Sequence, residues 1–378
     1  MTLSGPPASL PDERRTRVVE LLRRRGSVRV ADLAEELDVS VITVRRDIAL
    51  LASQGLIRRV RGGAVLRGGA PAVESDESGE EASPRPVAEE GAGDGRRLTI
   101  GMVVPSLDYY WPEVIRSVRE AAAAAGARVV LRGATYQAAD ERRQLSGLMD
   151  LVGVDGLLVA PTTTGDDGEE LVRWLRRAPV PVVLIERAAA VGPYEEAMES
   201  VISDHALGAA MAVRHLAALG HRRIGVVTTV HSPTTPHVRR GWRQACQELG
   251  LELDGTPDLT TVDQRNPEWN EVMDRILGSC LDTGTTALLV HSDPEAISLV
   301  ERCQERGVRV PADLAVVTYD DEVAELCDPP LTAVRPPRKA IGRAAFGLLQ
   351  ARLTDQDPHR PTHRVVIEPR LIVRSSSS

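Results

Sequence analysis

Apolar positions along this chain fall into two regimes separated by a gap. Up to residue 66 they recur every three or four positions, the period of a helix with one buried face. Val18, Leu21 and Leu22 mark the inner face of a predicted helix over 12–25, which Gly26 stops. Leu33, Ala34 and Leu37 mark a second over 31–37. Val41, Val44, Ile48 and Leu51 mark a third, which starts after the N-cap residue Ser40 and ends at Gly55. Val28-Arg29-Val30 reads as extended, and Ile57 to Gly63 as a short basic hairpin. Three small helices with a tight turn at Asp38-Val39-Ser40 and a hairpin behind them predict a winged helix-turn-helix over residues 1–66.

Residues 67–97 are the gap. Positions 67–95 hold 8 acids, 2 Arg and many Gly, Pro, Ala and Ser, with almost no large apolar side chain. Such a segment cannot bury enough surface to fold, so an acidic disordered linker is expected.

From Leu98 onward, strand-length apolar runs alternate with helix-length amphipathic segments. The runs are 98–104, 127–131, 155–160, 181–185, 223–228, 286–291 and 314–319, and helices such as 112–125, 206–219 and 238–249 lie between them. Unbroken Val/Ile/Leu runs suit strands covered on both faces, the condition of a parallel sheet flanked by helices. About 280 residues of this pattern exceed one sheet of ordinary size, so two lobes are expected over 98–378. The predicted fold class is α/β: a small winged helix-turn-helix domain plus a two-lobed, doubly wound parallel-sheet effector domain.

Charge sharpens the picture. The net charge of −8 argues against a nucleic-acid partner until it is divided. Residues 1–66 carry 12 Arg against 8 acids, net +4, which leaves −12 for the rest. A basic module on an acidic body points to DNA. On the third helix the face opposite the apolar stripe presents Ile42, Thr43 and Arg46, with Ser40 at the start and Arg45 on the flank. These residues suit a major groove, and Arg58, Arg59 and Arg61 of the hairpin suit its phosphates. Solvated helix charges are the plainer alternative.

The four cysteines have no close pairs and the eight histidines no metal-ligand spacing, so no metal and no cofactor is expected. No Gly-rich phosphate loop or nucleophile elbow follows a strand. No apolar stretch reaches membrane-spanning length, and the N-terminus lacks a secretory pattern, so a cytoplasmic protein without a membrane partner is expected.

Two resemblances follow from the motifs. VSVITVRRDIALLASQGLIRRVRGGAV (39–65) resembles the DeoR-type winged helix. Seven further motifs span nearly all of 98–374: IGMVVPSLD, VDGLLVAP, PVVLIER, GHRRIGVV, GVRVPADLAVVTYDD, PPLTAVRPP and PRLIVRSS. They resemble the LacI/GalR effector domain, which shares its fold with type I periplasmic sugar-binding proteins. The second resemblance implies a clamshell with a small-molecule effector between the lobes, expected to be a sugar. It also implies a homodimer on operator DNA. By position it implies effector contacts from Tyr109, Trp111, Thr163, Arg187, Ser292, Asp293 and Asp320.

Three positions depart from that pattern: Ser292 and His205 stand where Asn is usual, and Val238 where Arg is usual, with Arg239 and Arg240 beside it. Glu186 replaces the usual Asp. Competing structural roles are an ion pair for Arg187, lobe packing for Trp111 and a turn for Asp320. The reading is a ligand-responsive transcriptional regulator, a repressor of carbohydrate-use genes. Its rivals are a sugar-binding transport component and an α/β enzyme acting on a small polar metabolite.

Overall fold

The computed structural model describes residues 97–378 except 108, 136, 231, 265, 356 and 358. Of the first 96 it describes 17–18, 21–22, 25, 27–29, 32–33, 36–37, 44, 51, 57–60 and 63–66. The chain divides into two units, Met1–Gly91 and Ala92–Ser378.

In the first unit Val18, Leu21, Leu22, Leu33, Val44 and Leu51 are helical and buried, as their spacing predicts. Arg25 and Glu36 form an ion pair at 2.7 Å between the first two helical stretches. β1 (Ser27–Arg29), β2 (Ile57–Val60) and β3 (Gly63–Leu66) make an antiparallel sheet with β3 in the middle. The basic hairpin is β2–β3, with Arg58 opposite Val65 and Arg59 opposite Ala64.

The second unit contains two six-stranded sheets. Lobe 1 is built from β4 (Thr99–Val104), β5 (Arg128–Gly133), β6 (Gly156–Val159) and β7 (Val182–Ile185). The short hairpin β8 (Ala190–Val191) and β9 (Glu196–Ala197) precedes β10 (Ser200–Ser203), and β16 (Arg364–Ile367) returns to the edge. The order is β16-β10-β7-β6-β4-β5, and every pair is parallel. Lobe 2 holds β11 (Ile224–Thr228), β12 (Asp258–Thr260), β13 (Ala287–Val290), β14 (Ala315–Tyr319), β15 (Thr332–Arg335) and β17 (Arg370–Ile372). Their order is β12-β11-β13-β14-β15-β17, with β17 antiparallel at the edge.

Alternate residues of each apolar run serve opposite faces of its sheet. Ile100, Met102 and Val104 pack beneath α1 (Trp111–Ala124) and α8 (Arg338–Thr354). Val103, Leu157 and Leu184 meet the other face, under α2 (Ala138–Gly147) and α3 (Gly165–Arg176). In lobe 2, Val226, Leu289 and Val317 face α4 (His205–Ala218) and α5 (Thr235–Glu248). Val227, Leu288 and Val316 face α6 (Trp269–Thr283) and α7 (Asp293–Glu305). Two-sided burial is why these runs are apolar throughout.

The chain crosses between the lobes three times: at Asp204, at Pro336-Pro337 and at Glu368-Pro369. The first and third crossings are tied by the Asp204 N–H, which donates to the Ile367 carbonyl at 2.9 Å.

α4 and α5 pack closely enough that position 241 must be glycine. A Cβ there would sit 2.0 Å from the Ala206 carbonyl oxygen, which is backbone and cannot swing aside. Gly241→Ala is expected to push the helices apart at a cost of about 1–3 kcal/mol. Thermal unfolding should show the midpoint falling by several degrees. A wild-type midpoint would mean that the two helices have slack that the packing does not show.

Candidate functional site

The carboxyl ends of the lobe 1 and lobe 2 strands face one another across a cleft. Its narrow part has a volume of about 530 Å³ and is walled by Tyr109, Tyr110, Glu186, Arg187, Ser292 and Asp320, among others. A wider part of about 1100 Å³ adjoins it and shares Glu186, Arg187 and His205. This is where parallel α/β sheets place ligands, because the loops that follow the strands converge there.

Glu186 is the hub of the cleft floor. Its carboxylate accepts from the Ser203 amide at 2.9 Å and the Ser203 hydroxyl at 2.7 Å. It also accepts from the Tyr110 hydroxyl, and it pairs with His205 Nε2 at 3.5 Å. Burial alone pushes this carboxyl up. Hydrogen bonding and charge from His205, with Tyr110 and Ser203, more than offset that and hold it down at about 2. The other ring nitrogen, His205 Nδ1, lies 3.2 Å from the Tyr319 hydroxyl of lobe 2. A carboxylate of lobe 1 is thereby linked through the first crossing to a buried phenol of lobe 2.

A second link runs through Arg338, the first residue of α8. Its Nε donates to Glu113 of lobe 1 at 2.9 Å, and its Nη1 to the Asp320 carbonyl of lobe 2 at 2.6 Å. Glu322 pairs with the same nitrogen at 3.0 Å, and the guanidinium lies over the Tyr110 ring, 5.6 Å from its centroid.

Backbone strain concentrates at the same place. Tyr109, Glu186, Asp320 and Asp321 all have positive φ, from 54° to 99°, and all follow strands that end at the cleft. Non-glycine residues in this region cost about 1–3 kcal/mol each and persist where surroundings over-determine them. For Asp320 and Asp321 the surrounding group is Asp293. Its carboxylate accepts from the Thr318 hydroxyl and from the amides of Asp321, Glu322 and Val323, at 2.6 to 3.3 Å.

The cleft brings together some of the expected effector residues and not others. Tyr109, Arg187, Ser292 and Asp320 line its narrow part. Arg187 is buried and donates to the Glu186 carbonyl at 2.6 Å, so its guanidinium is braced by its own strand end. Ser292 donates to Glu295 within the capping box of α7. Trp111 touches the cleft wall but is 4% exposed and belongs to the lobe 1 core, so packing dominates its surroundings. Thr163 lines the wide part. Asp293 is not among the residues lining either part, because both of its oxygens are spent on the turn after β14.

Val238 is wholly in the lobe 2 core, and Arg239 pairs with Asp258 at 2.7 Å, while Arg240 turns toward the wide part. Sequence reasoning passed over Tyr110, Ser203 and Arg338. The double proline before Arg338 was the available signal. Among the residues proposed to touch DNA, Ser40, Ile42, Thr43, Arg45, Arg46 and Arg61 lie outside the described residues; Arg58 and Arg59 are on β2. Among the described residues no group of three His, Cys, Asp or Glu is placed to hold a metal ion, and no helix is long and apolar enough to cross a membrane.

Comparison with known proteins agrees with this architecture. A DeoR-like helix-turn-helix domain model matches residues 14–68, and a periplasmic binding protein-like domain model matches 213–377. An HTH-type transcriptional regulator in the aml 5' region of Streptomyces limosus is 35% identical over 290 residues, covering 74% of this chain and 78% of that protein. The repressor PurR of Haemophilus influenzae is 30% identical over 284 residues, covering 74% and 81%. A solved LacI-family regulator from Sanguibacter keddieii superposes with a TM-score of 0.60 at 28% identity, covering 75% of this chain and 99% of its own. GntR of Chromobacterium violaceum gives a TM-score of 0.62 at 26% identity, covering 74% and 99%. The chain belongs to the LacI family of HTH-type transcriptional regulators, with a DeoR-like helix-turn-helix at its N-terminal end. It is a ligand-responsive DNA-binding regulator, as its relatives are transcriptional regulators.

Asp320 yields a pH prediction. Burial, and then the Asp293 carboxylate, push it up to about 8 against the pull of Arg338. A carboxyl raised in the folded state contributes fully below its unfolded value, near 3.8, and loses that contribution as pH climbs toward about 8. Asp320→Asn should therefore flatten the decline in stability across that window, read by denaturant unfolding at a series of pH values. Parallel wild-type and variant curves would show that Asp320 titrates normally.

Proposed function

We propose that this regulator is a repressor of carbohydrate-use genes whose effector is a sugar bound between the two lobes. The observation that carries the reading is the convergence of Arg187, Asp320, Tyr109 and Ser292 on one cavity of about 530 Å³. A guanidinium offers a fixed fork of donors for vicinal hydroxyls, and a carboxyl accepts from them or, when protonated, donates. The exposed Tyr109 ring, not the buried Trp111, supplies the aromatic surface for a sugar's apolar face. A solved LacI-family regulator of the same fold from Enterococcus faecium contains bound ribose; at 22% identity and a TM-score of 0.58 it speaks for the fold's capacity alone.

The domain plan is a DNA-binding head over 1–66, a linker over 67–97 and the effector domain over 98–378. The protein works in the cytoplasm as a homodimer, so that two heads engage paired half-sites. Ser40, Ile42, Thr43, Arg45 and Arg46 address base edges and nearby phosphates; Arg58, Arg59 and Arg61 hold the backbone. Effector binding draws the lobes together about the three crossings and changes the presentation of the heads. Glu186–His205–Tyr319 and Arg338 lie on the path of that movement.

With a sugar at about 100 times its dissociation constant, the full chain should gain roughly 2.7 kcal/mol, a rise of several degrees in melting temperature. Arg187→Ala should abolish the rise. A rise that survives the substitution would place the ligand elsewhere. Arg46→Ala should weaken operator binding by roughly 1–3 kcal/mol, measured by titration on labelled duplex. Undiminished operator affinity in that variant counts against base reading by Arg46.

A further inference from the structure

His291 stands directly after β13 and lines the narrow part of the cleft, with 5% of its surface exposed. Its backbone is held on both sides. The amide donates to the Val227 carbonyl at 2.9 Å, and the carbonyl accepts from the Thr229 hydroxyl at 2.7 Å. The ring meets Tyr319 edge-on, with centroids 5.7 Å apart. The side chain is therefore anchored in the cleft wall.

This imidazole differs from its neighbours in lacking a partner. His205 pairs with Glu186 and Tyr319, His215 meets the Ser377 hydroxyl at 2.9 Å, and His221 meets the Thr286 hydroxyl at 2.8 Å. His291 Nδ1 is closed off from solvent with no hydrogen-bond partner. Nε2 has none among the described residues either, but it is not closed off, so it is the nitrogen that opens on the cleft. The polar groups beside it are committed: Tyr110 and His205 to Glu186, and the Ser292 hydroxyl to Glu295. A buried polar atom left unmet is costly, and native proteins hold few of them.

Burial first, and then His205, push the ring's pKa down to about 3, so His291 is neutral. A neutral imidazole carries one N–H and one lone pair. Buried N–H groups go unmet more rarely than buried acceptors. The proton therefore belongs on Nε2, with the lone pair on the closed-off Nδ1. The ring presents a fixed, uncharged donor to the cavity.

We propose that His291 is a further effector contact: its Nε2–H donates to one hydroxyl oxygen of the sugar and selects sugars that carry that hydroxyl. This rests on the carbohydrate reading and extends it to the end of β13. Asp320 follows the neighbouring parallel strand β14 and lines the same part of the cleft. A sugar seated there meets a donor from one strand end and a carboxyl from the next. A buried donor with no other partner discriminates, because a ligand without the oxygen leaves it unmet.

The test uses the full-length protein in calorimetry with glucose, galactose, ribose and xylose, each beside its monodeoxy analogues. For a sugar that binds, one analogue should bind roughly threefold to tenfold more weakly than its parent. His291→Phe should weaken the parent by the same factor and leave that analogue unchanged, so the two losses do not add. A packing role alone would weaken both equally. His291→Gln, whose amide nitrogen reaches as far as Nε2, should restore part of the preference. His291→Asn, whose amide nitrogen reaches only as far as Nδ1, should not. As a readout that needs no sugar, nitrogen NMR of the histidine-labelled protein should show His291 as a neutral Nε2–H ring near neutral pH.

A sugar that binds with every deoxy preference unchanged in His291→Phe overturns the contact and leaves the carbohydrate reading intact. No binding by any of these sugars, with the ring in the Nε2–H form, overturns the carbohydrate reading and keeps His291 as a donor to another uncharged ligand. A ring that is protonated near neutral pH, or that carries its proton on Nδ1, overturns the donor whatever binds.

Discussion

A single buried carboxylate holds the two lobes in register. Glu186 ends a strand of lobe 1 in a strained conformation, surrounded by Tyr110, Ser203 and His205. An isolated charge at that depth would be expelled or neutralised. It survives because its oxygens are met by donors from the loop after β4, from the end of β10 and from the first turn of α4. Those donors come from separate stretches of chain, so the charge fixes how they meet. His205 then passes the constraint to Tyr319, which has no exposed surface and stands in the lobe 2 core. Removing the charge would loosen a junction as well as a hydrogen bond.

The opposite economy operates at Asp293 and Asp320. Both are buried acids, but Asp293 is satisfied by a hydroxyl and by the amides of the turn it shapes. Asp320 sits beside it and is pushed toward the neutral form. One acid builds the loop and the neighbouring one is left to face the cleft. The family resemblance makes the two look equivalent; their surroundings diverge because only one of them receives the amides.

Much of the architecture is legible in the chain because two-sided burial leaves a plain mark. The runs at 98–104, 155–160 and 286–291 are mainly apolar, and within them lie the strands Thr99–Val104, Gly156–Val159 and Ala287–Val290. β10, β12, β15, β16 and β17 escape that reading because Ser, Asp, Thr or Arg takes up part of each short strand, and β16 and β17 are partly exposed edge strands with little to bury. Cleft-lining residues are readable where the family resemblance fixes them by position, as at Arg187 and Asp320. Arg338 and Tyr110 are not, because their importance comes from contacts across the crossings, over 200 positions apart for Arg338 and Glu113. Trp111 illustrates the converse: the residue type suggests a ligand platform, but its place as the first residue of α1 turns the ring into the core.

The interleaving of the lobes also sets the order in which the molecule can mature during synthesis. Lobe 1 begins at β4, yet Ile341, Ala345, Phe346 and Leu349, which close one face of its sheet, belong to α8. Its edge strand β16 pairs with β10 across 164 positions, Ser200 opposite Arg364. While the ribosome is still making lobe 2, the lobe 1 sheet therefore has an open face and an open edge. Contacts of such long range are slow to form and leave sticky surfaces exposed meanwhile. The three crossings thus keep the nascent lobe 1 open until nearly all of lobe 2 has been made.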